Sequence, residues 1–338
     1  MTMINSGNRG LSNLGNTCYM NSAIQCLSHL LIFNSNNKVF MGDIVKRNKN
    51  NDEELMIEWV CLQNELWSEN SGAVNPSSFL KCFKEKINKY NFYFESFNQN
   101  DVEEFITRLM ELFHKSIERK ITFQIDGVPE NNMDKLAIKS METWKDFFES
   151  NYSYIISKTY SQLLLITSCT NCDNVSTNHD PILVISIEIK EDNKNIYNCL
   201  DNYTKVDKLD EQNLWKCDKC NIKNQPERKL MFWNLSDILI IQLKRFTNSG
   251  VKKDQYIEYP EILNMSKYSI NYEENSTKFK LMGLCIQDGS LSGGHYYAIC
   301  KNEIDNKWHI YNDTNVSNIT KKEVLNKKPY CFFYKRID

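Results

Sequence analysis

Cys18 stands in the run Gly10-Leu-Ser-Asn-Leu-Gly-Asn-Thr-Cys-Tyr-Met-Asn-Ser-Ala-Ile-Gln-Cys-Leu27, where a Gly/Asn-rich turn meets an apolar-periodic stretch. A thiol at a helix start faces unpaired N–H groups and the positive end of the helix dipole, which favour the thiolate. That is the environment of a nucleophile, whereas Cys26, inside the periodic stretch, reads as a small buried residue. A nucleophilic thiol needs a base and a group to orient the base. Of the 5 histidines, His29 and His114 fall within expected helices, His179 in a loop after a cysteine pair, and His309 inside a strand. His295 differs: it follows Ser292, Gly293 and Gly294, heads a strand, and precedes Tyr296 and Tyr297. Trp308-His-Ile-Tyr-Asn312-Asp313 then ends a further strand on two side chains able to hold an imidazole. Spacing leaves open which of Asn312 and Asp313 does so, since neighbours in a strand point to opposite faces but a strand end relaxes that rule.

A second constellation is Cys169-Thr-Asn-Cys172 with Cys217-Asp-Lys-Cys220, two C-x-x-C pairs separated by 44 residues. Each pair aims two sulfurs at one point, and together they offer a closed tetrahedral thiolate site suited to structural zinc. No thioredoxin-like βαβ pattern surrounds either pair, which argues against a redox role.

These residues need a scaffold, and 338 residues suffice for a large core. Periodic stretches at 18–31 and 101–117 predict helices with one buried face, and between them lie a polar connector (34–53) and further expected helices at 54–67 and, after Asn75-Pro76, at 76–89. From about residue 152 short β-branched runs take over, at 182–189, 238–243, 279–286, 295–300, 308–311 and 331–334. Helices first and strands second predict an α+β fold, a helical lobe against a β lobe with a cleft between. The charge is balanced, 41 Lys plus Arg against 43 Asp plus Glu, so no nucleic-acid or membrane-surface role is expected. No apolar run reaches the roughly 18 residues of a membrane helix, and the start, MTMINSGNRG, lacks a signal-like core. An intracellular protein is expected, in which 12 cysteines serve as thiols or ligands instead of disulfides. The 42 asparagines read as a compositional bias.

The run around Cys18 resembles the cysteine box of the ubiquitin-specific protease family of cysteine deubiquitinases. GGHYYAIC with WHIYND resembles its histidine box, Gln99-Asn-Asp-Val-Glu-Glu-Phe105 its Gln/Asp motif, and Leu243-Lys-Arg-Phe246 the strand end before its blocking loops. The resemblance runs in the family's order over about residues 9–337. It implies a papain-like cysteine protease fold with a helical thumb (about 9–150), and a β-rich palm with zinc-bearing fingers (about 151–338). It also implies that Cys18 is the nucleophile, His295 the base, Asn312 the orienting residue, and Asn13 an oxyanion donor beside the Cys18 N–H. Asp313 then holds a water near the oxyanion or caps the following turn. Asp101 and Glu104 would meet the basic tail of ubiquitin, although Glu104 could simply pair with Arg108 along its helix. Gly293, Gly294 and Tyr297 could line a channel that admits only a Gly-Gly end. Asn100 departs from the family, which often has Gln there.

The function implied is hydrolysis after the C-terminal glycine of ubiquitin by a monomer that needs zinc for structure and no catalytic cofactor. A hydrolase for a ubiquitin-like modifier and a catalytically weak ubiquitin-binding module are the alternatives. A zinc-ribbon nucleic-acid binder would need a basic surface that the charge balance does not supply.

Overall fold

The computed structural model describes residues 7–30, 53–92, 94, 101–122, 124–149, 152–208, 214–270, 276–290 and 293–337. Leu31, most of the polar connector 34–53, Gln99, Asn100 and Ser292 therefore lie outside the described residues.

The helical part comes first: α1 (Cys18–His29), α2 (Glu54–Leu66), α3 (Ser77–Lys89), α4 (Val102–Ile117), α5 (Asn132–Glu149) and α6 (Tyr154–Thr159). The strands follow, beginning with β1 (Ser161–Ser168), β2 (Val175–Ile182) and β3 (Val184–Glu188). After α7 (Ile196–Tyr203) come the short β4 (Asp207–Lys208), β5 (Trp215–Lys216) and β6 (Lys223–Asn224), then β7 (Glu227–Asn234) and β8 (Ile238–Lys244). The chain ends with β9 (Ile262–Asn264), β10 (Lys278–Gly289), β11 (Gly294–Asn302), β12 (Lys307–Asn312), β13 (Asn315–Ile319), α8 (Lys321–Val324) and β14 (Pro329–Arg336).

The main sheet runs β13-β12-β11-β10-β14-β8-β3, with β9 on β10. Its ladders are antiparallel except β3 with β8, which is parallel. Alternation along each strand sends side chains to both faces, and each face has its own core. Tyr296, Ala298 and Cys300 of β11 pack towards α1 and α4, whereas Ile299 packs on the opposite face with Ile241, Phe332 and Leu200 of α7. A second sheet, β2-β1-β7-β4, and the ribbon β5-β6 project the two cysteine pairs.

The sequence pattern placed α1 with one apolar face inward, yet every residue from Cys18 to His29 is buried. Its polar side chains find partners inside: Ser28 Oγ donates to Gln63 Oε1 at 2.6 Å and Gln25 Nε2 to the Arg9 carbonyl at 2.9 Å. His29 bridges the Gln25 carbonyl and the Tyr311 hydroxyl, both at 2.8 Å. These bonds offset part of the cost of burial, while Gln25 Oε1, Gln63 Nε2 and Asn21 Oδ1 are buried without a hydrogen-bond partner among the described residues. The expected strands at 238–243, 279–286, 295–300, 308–311 and 331–334 are present with slightly wider bounds. Of the run 182–189, Ile182 ends β2 and Val184–Glu188 form the whole of β3. His179 lies within β2 instead of a loop. Among the described residues, no helix is long and apolar enough to cross a membrane.

Candidate active site and metal centre

The turn before α1 is built by Asn13. Its Oδ1 accepts the N–H of Gly15 at 3.1 Å, the N–H of Thr17 at 3.2 Å and the Thr17 hydroxyl at 3.2 Å. Asn16 takes a left-handed φ of 52°, a conformation Asn tolerates better than most residues. The same Asn13 side chain points its Nδ2 at Asp313 Oδ2, 2.9 Å away, while Asn21 Nδ2 donates to Asp313 Oδ1 at 2.8 Å. The backbone closes this junction as well: the Leu11 N–H donates to the Asp313 carbonyl at 2.8 Å. A Cβ on Gly10 would lie 2.3 Å from that carbonyl oxygen, so only glycine lets the two segments meet.

Cys18 opens α1 and is buried. Burial raises its thiol pKa, and the nearby Asp313 carboxylate adds to that; hydrogen bonds from the Tyr296, Tyr19 and Cys18 backbone work the other way. The Tyr296 backbone contact joins the thiol to β11, one residue from His295. His295 Nε2 lies 2.6 Å from Asn312 Oδ1. Since the amide oxygen can only accept, Nε2 carries the proton in this pair, leaving Nδ1 of the neutral ring with its lone pair. Among the described residues no hydrogen bond yet joins the Cys18 thiol to His295. Resting sites are often loose in this way and tighten on substrate. Of the two candidate orienters, Asn312 meets the imidazole, and Asp313 faces the other way, towards Asn13 and Asn21. No cap of the following turn by Asp313 is present among its described hydrogen bonds.

Asp101 caps α4, accepting the Glu103 N–H at 2.9 Å. It also accepts the Tyr330 hydroxyl and, at 3.2 Å, Gln242 Nε2. Burial raises its pKa, opposed by Tyr330, the Glu103 N–H and Gln242. Glu104 is half-buried on α4, and Arg108 pairs not with it but with Glu111 at 2.8 Å. Tyr297 packs against the face of the main sheet remote from α1. Tyr296 is the aromatic on the Cys18 side, edge-on to Tyr330 with ring centres 5.8 Å apart. Strand alternation could have singled out Tyr296 from the sequence; Tyr330, Gln242 and Asn21 carried no such signal. Gly289 and Gly294 close the β10–β11 hairpin as a ladder pair. A Cβ on Gly294 would fall 2.6 Å from the Ser290 carbonyl oxygen, whereas at Gly293 the nearest atom is 3.6 Å off, so of these two only Gly294 is demanded by packing.

The four cysteines of the C-x-x-C pairs converge, their sulfurs all within 4.8 Å of one another. Cys169 and Cys220 sulfurs are 3.9 Å apart and those of Cys172 and Cys217 are 3.7 Å apart. A tetrahedron with metal–sulfur bonds of about 2.3 Å has edges of about 3.8 Å, so the spacing fits a tetrahedral ion. Asn174 Nδ2 donates to Cys217 Sγ and Asn224 Nδ2 to Cys169 Sγ, both at 3.4 Å. Donors aimed at sulfur suit thiolate ligands and orient them. These two asparagines escaped the sequence reading because asparagine is so common in the chain.

The arrangement has counterparts. The family model described as ubiquitin carboxyl-terminal hydrolase matches residues 9–334. The ubiquitin carboxyl-terminal hydrolase Usp2 of Drosophila melanogaster is 29% identical over 333 residues, covering 97% of this chain and 34% of the relative. Ubiquitin carboxyl-terminal hydrolase 2 of Homo sapiens is 28% identical, covering 97% of this chain and 55% of the relative. The chain thus spans about a third to a half of the length of these curated relatives. Among solved structures, a chain of the SAGA Ubp8/Sgf11/Sus1/Sgf73 DUB module bound to ubiquitin aldehyde superposes with a TM-score of 0.74 at 26% identity, covering 100% of this chain and 71% of that one. The α+β architecture is therefore the thumb, palm and fingers of that fold. With a matching model from the Gly10 turn to β14 and the same fold in three dimensions, the chain belongs to the ubiquitin carboxyl-terminal hydrolase family.

Proposed function

We propose that this chain is a cysteine-type deubiquitinase that cleaves the (iso)peptide bond after the C-terminal glycine of ubiquitin. The observation that carries this reading is the 2.6 Å pairing of His295 Nε2 with Asn312 Oδ1 beside a helix-opening Cys18. His295 Nδ1 takes the Cys18 proton, and the thiolate attacks the glycine carbonyl. The Cys18 N–H and the second N–H of Asn13 Nδ2 stabilise the oxyanion, a role that contributes about 3–4 kcal/mol where such donors have been removed. Collapse expels the amine, which receives its proton from His295, and leaves a thioester on Cys18. Water, deprotonated by His295, then hydrolyses that thioester and frees the enzyme. Because burial and Asp313 oppose a lone thiolate, the charge is stabilised as a pair with the imidazolium.

Asp101 and Glu104 are proposed to meet the basic tail of ubiquitin, and the glycines at 293 and 294 to border its Gly-Gly end. Tyr296 is a better wall for that end than Tyr297. We take residues 9–337 as one catalytic domain, 9–150 as thumb and the remainder as palm and fingers. Cys169, Cys172, Cys217 and Cys220 are proposed to hold one structural zinc, which leaves no open position for chemistry. Ubiquitin and its conjugates are the partners, and every catalytic group belongs to one chain, so a monomer suffices. A reducing intracellular compartment would keep the cysteines as thiols.

The test is covalent capture by ubiquitin carrying a C-terminal electrophile, with the adduct located by mass spectrometry. An adduct on Cys18 is expected. Labelling of another cysteine, or labelling only by a ubiquitin-like electrophile, would redirect the assignment.

A further inference from the structure

The ladder between β10 and β14 ends at Ile286, whose partner is Pro329. Beyond that pair β14 gives β10 no partner, so this edge of β10 is open among the described strands. β10 nevertheless continues through Gln287, Asp288 and Gly289, paired on its other side with β11, and Asp288 stands directly opposite His295. In an antiparallel ladder each residue sends both backbone groups to one side, and alternate residues to the same side. Tyr296, opposite Gln287, turns its backbone to Cys18, away from β10. Gln287 and Gly289 accordingly turn theirs to the edge that β14 has left open. Lys252 fills that edge: its Nζ donates to the Gln287 carbonyl at 2.6 Å and the Gly289 carbonyl at 3.2 Å.

Lys252 is itself held by a stiff element. Phe246 and Lys252 form an antiparallel bridge, closed by Thr247 N–H to Val251 O at 3.0 Å and Gly250 N–H to Thr247 O at 2.9 Å. Beneath it the buried Arg245 guanidinium donates to the carbonyls of Pro329 at 2.7 Å, and of Lys253 and Gln255, both at 3.0 Å. The adjacent Lys253 reaches the other way, to the Ile189 carbonyl at 2.6 Å, just past β3. Two consecutive lysines thus tie this hairpin to two strands, and one of those ties grips the strand end opposite His295.

We propose that Lys252 is a positioning residue for His295, its ammonium replacing the missing ladder donors so that the end of β10 holds β11 and the imidazole in register beside Cys18. The proposal rests on His295 being the base of the reaction described above. Without Lys252 the last pairs of the hairpin have backbone bonds on one side only, and the imidazole drifts from the thiol.

The test compares the full chain with Lys252→Met and Lys252→Arg by two readouts. One is kcat and KM on ubiquitin bearing a C-terminal fluorogenic amide. The other is the pH profile of Cys18 alkylation by iodoacetamide, which reports the thiolate–imidazolium pair without ubiquitin. Lys252→Met is expected to lower kcat by about 10–100-fold, the scale of a 1 Å misplacement, with KM changed much less. It should also move the acid limb of alkylation to higher pH, and Lys252→Arg should restore most of both. A folded Lys252→Met protein with unchanged kcat and a superimposable alkylation profile overturns the proposal, as does a lower Tm with neither readout moved. If Lys252→Met does not fold, Lys252→Gln is judged by the same criteria. A wild-type chain inert towards the ubiquitin amide would sink the deubiquitinase reading, while the alkylation profiles would still decide the role of Lys252.

Discussion

Asn13 and Asp313 are 300 residues apart in sequence and 2.9 Å apart in space, Nδ2 to Oδ2. The oxygen of the same amide builds the turn that presents Cys18, so one side chain both shapes that turn and ties it to the end of β12. Asp313 fixes which way the amide faces, because a carboxylate can only accept. In the proposed mechanism Asp313 orients Asn13, whereas Asn312 orients His295.

A double-mutant cycle separates these roles. Asn13→Ala should lower kcat by about 10²–10³-fold through loss of an oxyanion donor. Asp313→Ala should cost part of that in the wild-type background and little in the Asn13→Ala background, because contacting residues are not additive. Full additivity of the two changes in kcat would show that Asp313 acts by another route.

Asn312→Ala should be the deeper lesion of the adjacent pair, since it frees the imidazole that the reaction uses twice. Both variants should stay folded, checked by Tm. If Asp313→Ala slows turnover more and Asn312→Ala is nearly silent, the orienter is Asp313.

Cys18→Ala should abolish hydrolysis and retain ubiquitin affinity, because the thiol is not among the groups proposed to grip ubiquitin. Calorimetric titration with ubiquitin and a turnover assay check the two halves separately, and near-normal turnover would exclude Cys18 as nucleophile.

One zinc per chain is expected from elemental analysis of freshly prepared protein. Cys217→Ser should lower both metal content and the thermal stability of the fingers, since binding of a structural metal is coupled to local folding. Active protein without zinc would reject the site.

His29 predicts an acid-side loss of stability. Burial depresses its pKa to about 4, opposed only by the Gln25 carbonyl, Asp305 and the Gly7 backbone. The unfolded chain protonates this histidine near pH 6.5 and the folded one only near 4, so unfolding takes up a proton between those values. Stability is therefore undiminished above about pH 6.5 and declines as pH falls towards 4, by about 3 kcal/mol in all from this group. Urea unfolding from pH 7 to 4.5 should show the decline, and His29→Gln should make it shallower. An identical slope in the variant would assign the loss to other groups.

Local chemistry was legible in the chain. A thiol after a Gly/Asn turn, a histidine after two glycines, and paired C-x-x-C turns each declare themselves within a few residues, and several such motifs in order declare a family. Helices α1 to α4 and the apolar strands of the main sheet were legible for the same reason, a burial period of 3.6 or 2 along the chain, whereas α5 (Asn132–Glu149) was not expected. The sheet of β1, β2 and β7 was not, because β2 (VSTNHDPI) is largely polar and partly exposed and carries no such period. The burial of α1 on every side was hidden too, since the partners of Ser28, Gln25 and Asn21 come from residues far along the chain. The resemblance pointed to Asn312, spacing left it level with Asp313, and the tertiary structure brings the Asn312 amide to His295 and turns Asp313 to Asn13 and Asn21. Adjacent residues look equivalent in a sequence, but at the end of β12 they turn to different neighbours, and Asp313 leaves the strand at a φ of 50°. Tertiary structure likewise gave Asp101 its three donors and put Lys252 against the strand end facing His295. Each depends on contacts between distant segments, which the packing of the two lobes creates and no local pattern records.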